Sequence, residues 1–170
     1  MTTTTKTTKA TRALQLLGLA ALATAFHGCA DDADGSTSSA PIATTPLAGK
    51  VGGQPWTFAS GATNAFLSAD DDDYFATLFA VDFSGCSDAP QGGVTAVILS
   101  IPKTLGTRSF GLQLNGTFVV PGADGPENLA TLNGKVVVDA ITDTTITGGV
   151  RMSYDSANAI DGRFEVMICN

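Results

Sequence analysis

Apolar residues in this chain follow two patterns. From residue 13 to residue 26 they run almost unbroken, as A-L-Q-L-L-G-L-A-A-L-A-T-A-F. Beyond residue 46 they come in short runs, many strictly alternating with polar positions and broken by Gly, Pro, Asn and Asp. The first pattern is a single apolar block; the second is how half-buried strands joined by turns read.

The second pattern predicts a series of strands. Residues 47–51 and 55–59 flank Gly52-Gly53, a dipeptide that tolerates the positive φ of a tight hairpin. Residues 74–83 are the strongest predicted strand, with Phe75, Thr77, Phe79, Val81 and Phe83 on one face and Tyr74, Ala76, Leu78, Ala80 and Asp82 on the other. Residues 94–101 are apolar on both faces, as in a central strand covered on both sides, and Pro102 stops them. Residues 108–114 and 117–120 are predicted to form a hairpin around Asn115-Gly116, the best short hairpin signal in the chain. Residues 129–141 and 145–154 pair around Thr142-Asp143-Thr144, and 162–169 close the series with Phe164, Val166 and Ile168 on one face. Eight or nine strands with no helix among them predict an all-β fold over residues 47–170: a single antiparallel β-sandwich, with a β-barrel as the alternative.

The apolar block belongs to no fold. It follows a Thr-rich start carrying Lys6, Lys9 and Arg12, and it is shorter than the roughly 20 residues that span a bilayer. A basic start, an apolar middle and a small-residue end make residues 1–28 a secretory signal peptide. Two cleavage sites compete. Ala23-Thr24-Ala25 offers cleavage before Phe26, whereas Phe26-His27-Gly28-Cys29 resembles the lipobox of bacterial lipoproteins. Gly28 and Cys29 fit that box; Phe26 and His27 depart from its usual Leu-Ala/Ser pair.

Cysteine number favours the second site. The chain has Cys29, Cys86 and Cys169. In an oxidising compartment cysteines are expected in pairs, so acylation of Cys29 leaves Cys86 and Cys169 to form a disulfide. Residues 29–46 then read as an acylated cysteine and a flexible acidic tether, because small, polar and Pro-rich sequence buries too little to offset its ordering entropy. Ala30, rather than Asp, after the acylated cysteine resembles lipoproteins sent onward to the outer membrane. Which membrane face would carry the domain is left open.

Charge limits the partners. Three of the nine basic residues lie in the signal and none of the 16 acidic residues does, so the exported chain carries six basic and 16 acidic residues, a net charge of −10. A polyanion releases no counterions from DNA or RNA, which argues against a nucleic-acid partner. The membrane contact expected is the lipid anchor itself, since anionic lipid repels such a surface.

The motifs G-K-V-G-G-Q-P-W-T-F at the start of the domain and S-Y-D-S-A-N-A-I-D-G-R-F-E-V-M-I-C at its end resemble small uncharacterised lipoproteins of Gram-negative bacteria. The resemblance covers most of residues 47–170 and implies a C-terminal β domain, opened by a Gly-Gly-x-x-Trp hairpin and closed by a Gly-x-Phe-x-Val strand with Cys. It implies no activity and no binding site.

Chemistry is sparse. The only histidine is His27, inside the signal, so the exported chain has no imidazole for a nucleophile pair, a zinc site or a proton relay. No phosphate-cradling or dinucleotide motif is present. Asp70-Asp71-Asp72-Asp73 and the loop of Asp155, Asn158 and Asp161 are the acidic clusters; Asp71, Asp73, Asp155 and Asp161 are the candidate ligands for a hard cation such as calcium. Consecutive carboxylates before a strand point to opposite sides, so the reading preferred for them is a solvated, edge-blocking loop and Asx-type turns, with no metal and no cofactor. Asp31, Asp32, Asp34 and Gly35 lack the later ligands of a calcium loop. Trp56 beside the hairpin is expected to seal the core, while a stacking platform for a sugar is its other use. Arg108, Arg151 and Arg163 are expected to shield edges or pair with Asp.

The functional expectation is therefore a membrane-anchored, non-enzymatic envelope lipoprotein with a binding or structural β domain. The alternative is a calcium- or carbohydrate-binding β-sandwich using the acidic loops and Trp56. A carboxylate-based hydrolase is a third and weaker class, because nothing in the spacing sets two carboxylates across a cleft.

Overall fold

A computed structural model of the chain describes residues 40–69, 72–90 and 94–169. All belong to one compact unit; the signal and Cys29 lie outside the described residues. The strands are β1 (Ala48–Val51), β2 (Gln54–Thr57), β3 (Ser60–Thr63), β4 (Asp73–Phe79), β5 (Ala96–Pro102) and β6 (Gly106–Ser109), then β7 (Gly116–Gly122), β8 (Gly125–Thr131), β9 (Gly134–Ile141), β10 (Thr145–Asp155) and β11 (Asn158–Met167). One helical turn, α1 (Ala65–Ser68), joins β3 to β4.

The all-β expectation holds, and the layers are parts of one curled sheet. Its path is β6-β9-β10-β11-β3-β4-β5-β7-β8, with β1 and β2 attached beside β11. Every strand pair is antiparallel except β11 with β3, which meet through Met167 and Ala62 alone. That narrow join lets the β6–β11 half and the β3–β8 half close on each other over a shared core. Phe118, Leu47, Leu78, Leu99, Ile101 and Ile146 are among the fully buried side chains drawn from both halves. Each stabilises by roughly 1.5–3 kcal/mol relative to exposure.

Alternation predicted which faces turn inward only in part. In β4 the buried face is Ala76 and Leu78, both 0% exposed, while Phe75 and Thr77 are half-buried. In β5, Val97, Leu99 and Ile101 are buried, and Ile98 and Ser100 are half-buried rather than sealed under a second layer. The strand expected to reach residue 83 ends at Phe79. There Ser60 Oγ donates to the Val81 carbonyl at 2.8 Å and accepts from the Phe83 amide at 3.2 Å, folding the chain back over β3.

The Asn115-Gly116 hairpin does not form. Gly116 is the first residue of β7, which pairs with β5 and β8, whereas β6 pairs with β9. Glycine is needed there for approach: a Cβ on Gly116 would stand 2.5 Å from Met152 Sδ, on the opposite half of the sheet. The hairpin in this region is instead β7–β8, closed by Gly122 against Gly125. The predicted strand 129–141 is broken between β8 and β9, where Thr131 Oγ1 accepts the Asn133 amide at 3.0 Å.

The domain also begins earlier than residue 47. Arg163 donates its amide to the Thr45 carbonyl and accepts the Leu47 amide at its own, each at 2.9 Å. The Ala43 amide donates to Asp161 Oδ1 at 2.8 Å, and Arg151 Nη1 donates to the Pro41 carbonyl at 3.2 Å. Residues 41–46, read from sequence as the end of a tether, form a strap along β10 and β11.

Candidate functional site

The ends of several elements meet where β4 begins and β5 ends. Asn64 caps α1, its Oδ1 accepting the Leu67 amide at 2.9 Å. Ser68 is buried and its Oγ accepts the Phe75 amide at 3.0 Å. The Ser68 carbonyl accepts Lys103 Nζ at 2.6 Å, and the same ammonium lies 5.2 Å from the centroid of the Tyr74 ring. The Lys103 amide donates to the Asp72 carbonyl at 3.0 Å. Lys103 thus latches α1 and the start of β4 to the exit of β5, a role that no local pattern around Pro102 announces.

Beside this latch lies an open groove of about 890 Å³. It is lined by Asp72, Asp73, Pro102 to Thr104, Arg108, Ser109 and residues 111–114. A hollow of about 460 Å³ continues it past Tyr74, Phe75 and Ser100, sharing Asp72, Asp73 and Gln113. The volumes suit a ligand of moderate size or a length of chain. Leu112 at the lip is 90% exposed, and Leu105 near by in sequence is 61% exposed.

The acidic candidates divide between this groove and structural duties. Asp73 opens β4, paired with Pro102, and lines the groove; Asp70 and Asp71 lie outside the described residues. Asp155 Oδ1 accepts the Ala157 amide and Asn158 Nδ2, each at 2.9 Å, which is an Asx turn. Asp161 pairs with Arg151 at 3.0 Å while holding the strap at Ala43. Arg163 pairs with Asp139 on the same stretch of sheet. Among the described residues no three carboxylates, cysteines or histidines gather at one point.

Trp56 belongs to the core. It is 4% exposed, and its Nε1 is buried without a hydrogen-bond partner among the described residues, so the ring presents no stacking face to solvent. Cys86 and Cys169 form a disulfide with their Cα atoms 5.8 Å apart. The bridge and the bond from the Cys169 amide to Thr63 Oγ1 at 2.8 Å fasten the chain beyond β11 to β3 and to the turn after residue 85. With both cysteines bonded and no histidine beyond residue 27, the groove holds no nucleophile–imidazole pair.

Comparison of the chain with protein-family models, curated proteins and solved structures finds no match.

Proposed function

We propose that the chain is an exported, lipid-anchored protein of the cell envelope whose β domain binds a partner through the groove beside β4, β5 and β6 and carries out no catalysis. The observation that carries this reading is the Cys86–Cys169 bridge, which spans 83 residues of sequence. Disulfides of this kind form and persist in oxidising compartments, in agreement with the secretory signal. Pairing these two cysteines leaves Cys29, directly after the signal, as the odd thiol, and acylation is the chemistry that removes it. Acyl chains contribute about 0.8 kcal/mol per buried CH₂, so two or three of them hold a protein on a bilayer. The outer membrane is the proposed destination.

The test is the mass of the N-terminal peptide of the full chain expressed in a Gram-negative host, with detergent partition of the same preparation. Acylated Cys29 and recovery in the detergent phase are expected, and Cys29→Ser is expected to shift the protein to the aqueous phase. An unmodified N-terminus at Phe26 overturns the anchor.

A further inference from the structure

The strands of the curled sheet are unevenly held. β10 and β11 match ten residue pairs and β4 and β5 match seven, whereas β11 and β3 meet at Met167 and Ala62 alone. A long ladder opens as one cooperative unit, while a single pair has no neighbours to hold it closed. The seam between β11 and β3 is therefore where the sheet parts most readily.

The disulfide lies across that seam. Cys86 belongs to the β3–β4 side, because Ser60 Oγ of β3 holds the Val81 carbonyl and the Phe83 amide of the chain leading to it. Cys169 follows β11 on the other side, and its amide donates to Thr63 Oγ1 at 2.8 Å. Val166 packs over Gly61, where a Cβ would stand 2.8 Å from Val166 Cγ1. With the S–S bond in place the two sides cannot separate; without it the seam keeps one residue pair, one side-chain hydrogen bond and one packed valine. The bond is also within reach of solvent, since Cys86 is exposed and Cys169 half-buried. Exposed disulfides are the readily exchanged ones. Beside the bridge, Thr63, Phe66, Thr77, Phe79 and both cysteines line a hollow of about 390 Å³.

From this placement we infer that the Cys86–Cys169 bond is a redox-sensitive clasp: its reduction parts β11 from β3 while the ladders within each half stay closed. The reductant is a dithiol. One of its thiolates attacks Cys86 Sγ, the S–S bond breaks, and Cys169 Sγ leaves with the electron pair and takes up a proton. The second thiolate of the reductant then attacks its own partner's sulfur in the mixed disulfide, and Cys86 leaves as a thiolate and is protonated. Two electrons and two protons pass to the protein, and the dithiol becomes a disulfide. Parting the seam extends the hollow to Ala62 and Val166, both buried while the bond is closed. The clasp goes beyond the binding role proposed above and needs neither the anchor nor the groove.

The isotopically labelled full chain, in detergent micelles, is treated with millimolar dithiothreitol, and the new thiols are alkylated and located by mass. Alkylation at both Cys86 and Cys169 is expected while the domain stays folded. The Cys169 amide is expected to lose at least about tenfold in protection from hydrogen exchange, while Val150 and Leu99 stay at least about a hundredfold slower than an unstructured chain. The nuclear Overhauser contact between the Val166 methyls and the Gly61 α-protons is expected to be lost, and oxidised glutathione is expected to restore it. Cys86→Ser/Cys169→Ser is expected to show the parted seam with or without dithiol; should that variant misfold, the reversible treatment of the unaltered chain still decides. Resistance of the folded chain to the dithiol overturns the inference. So does a fully alkylated chain that keeps the Val166–Gly61 contact, since only the last residues would then have loosened. Loss of protection throughout both ladders overturns it as well, because the bond would then stabilise the whole fold rather than one seam. None of these outcomes touches the mass of the N-terminal peptide, so the anchor and the clasp fail separately.

Discussion

Gly162 passes beneath Leu47 with no room for a side chain: a Cβ on residue 162 would stand 2.6 Å from the Leu47 Cα. Gly162 also has φ of +143°, a conformation L side chains rarely adopt. The two residues mark the point where the strap gives way to β1 along β11. Gly162→Ala is expected to destabilise by about 3 kcal/mol or more, since backbone atoms on the strap and unfavourable φ both oppose it. Thermal or denaturant unfolding of the variant reads this directly; a loss below 1 kcal/mol, on the order of an ordinary surface change, would mean the crossing is not close-packed.

The bridge between Cys86 and Cys169 closes a loop of 83 residues. Restricting the unfolded chain to that extent is worth about 4–5 kcal/mol in the chain-entropy model. The paired change Cys86→Ser/Cys169→Ser is expected to lower the midpoint of thermal unfolding by on the order of 10–20 °C. Cys86 is exposed, so a dithiol reductant is expected to reproduce the effect without prior unfolding.

Asn158 is 4% exposed and joins two turns: its Oδ1 accepts the Gly52 amide at 2.7 Å and its Nδ2 donates to Asp155 Oδ1. Asn158→Ala leaves the Gly52 amide without this acceptor and is expected to cost about 1–3 kcal/mol. The expected signature is faster exchange of the Gly52 amide together with a lower unfolding midpoint; Gly52 exchange that stays unchanged contradicts the assignment.

The strap is held differently from the core. Arg151 and Asp161 are partly exposed, and such pairs are worth only about 0–1 kcal/mol. Asp161→Ala is therefore expected to release the Ala43 amide to exchange while leaving the global midpoint within a few degrees. A large fall in the midpoint would show that residues 41–46 are part of the cooperative fold.

Calcium is expected to leave the unfolding temperature unchanged between millimolar ion and chelator. Asp155 is occupied by an Asx turn, Asp161 by Arg151 and the strap, and Asp73 opens β4, paired with Pro102. A site filled to a hundred times its dissociation constant would add about 2.7 kcal/mol, or several degrees. A rise of that size, lost in Asp71→Asn/Asp73→Asn, would restore the calcium-binding alternative.

What the sequence by itself determined was local. Alternation in residues 75–79 and 164–168, the Gly52-Gly53 turn and the Thr142-Asp143-Thr144 turn all produced strands and hairpins where they stood, because each depends on neighbours in the chain. Cysteine number likewise led to the Cys86–Cys169 pair. Tertiary structure decided everything that depends on a distant surface. Gly116 reads as a turn and serves as a strand residue because Met152, 36 positions away in sequence, lies against it. Trp56 has the same composition around it whether it faces core or solvent, and only the closure of the two halves buries it. The groove is invisible to periodicity for the same reason. Strand order is set by which apolar faces can be covered together, and that competition is settled across the whole domain rather than within any one segment.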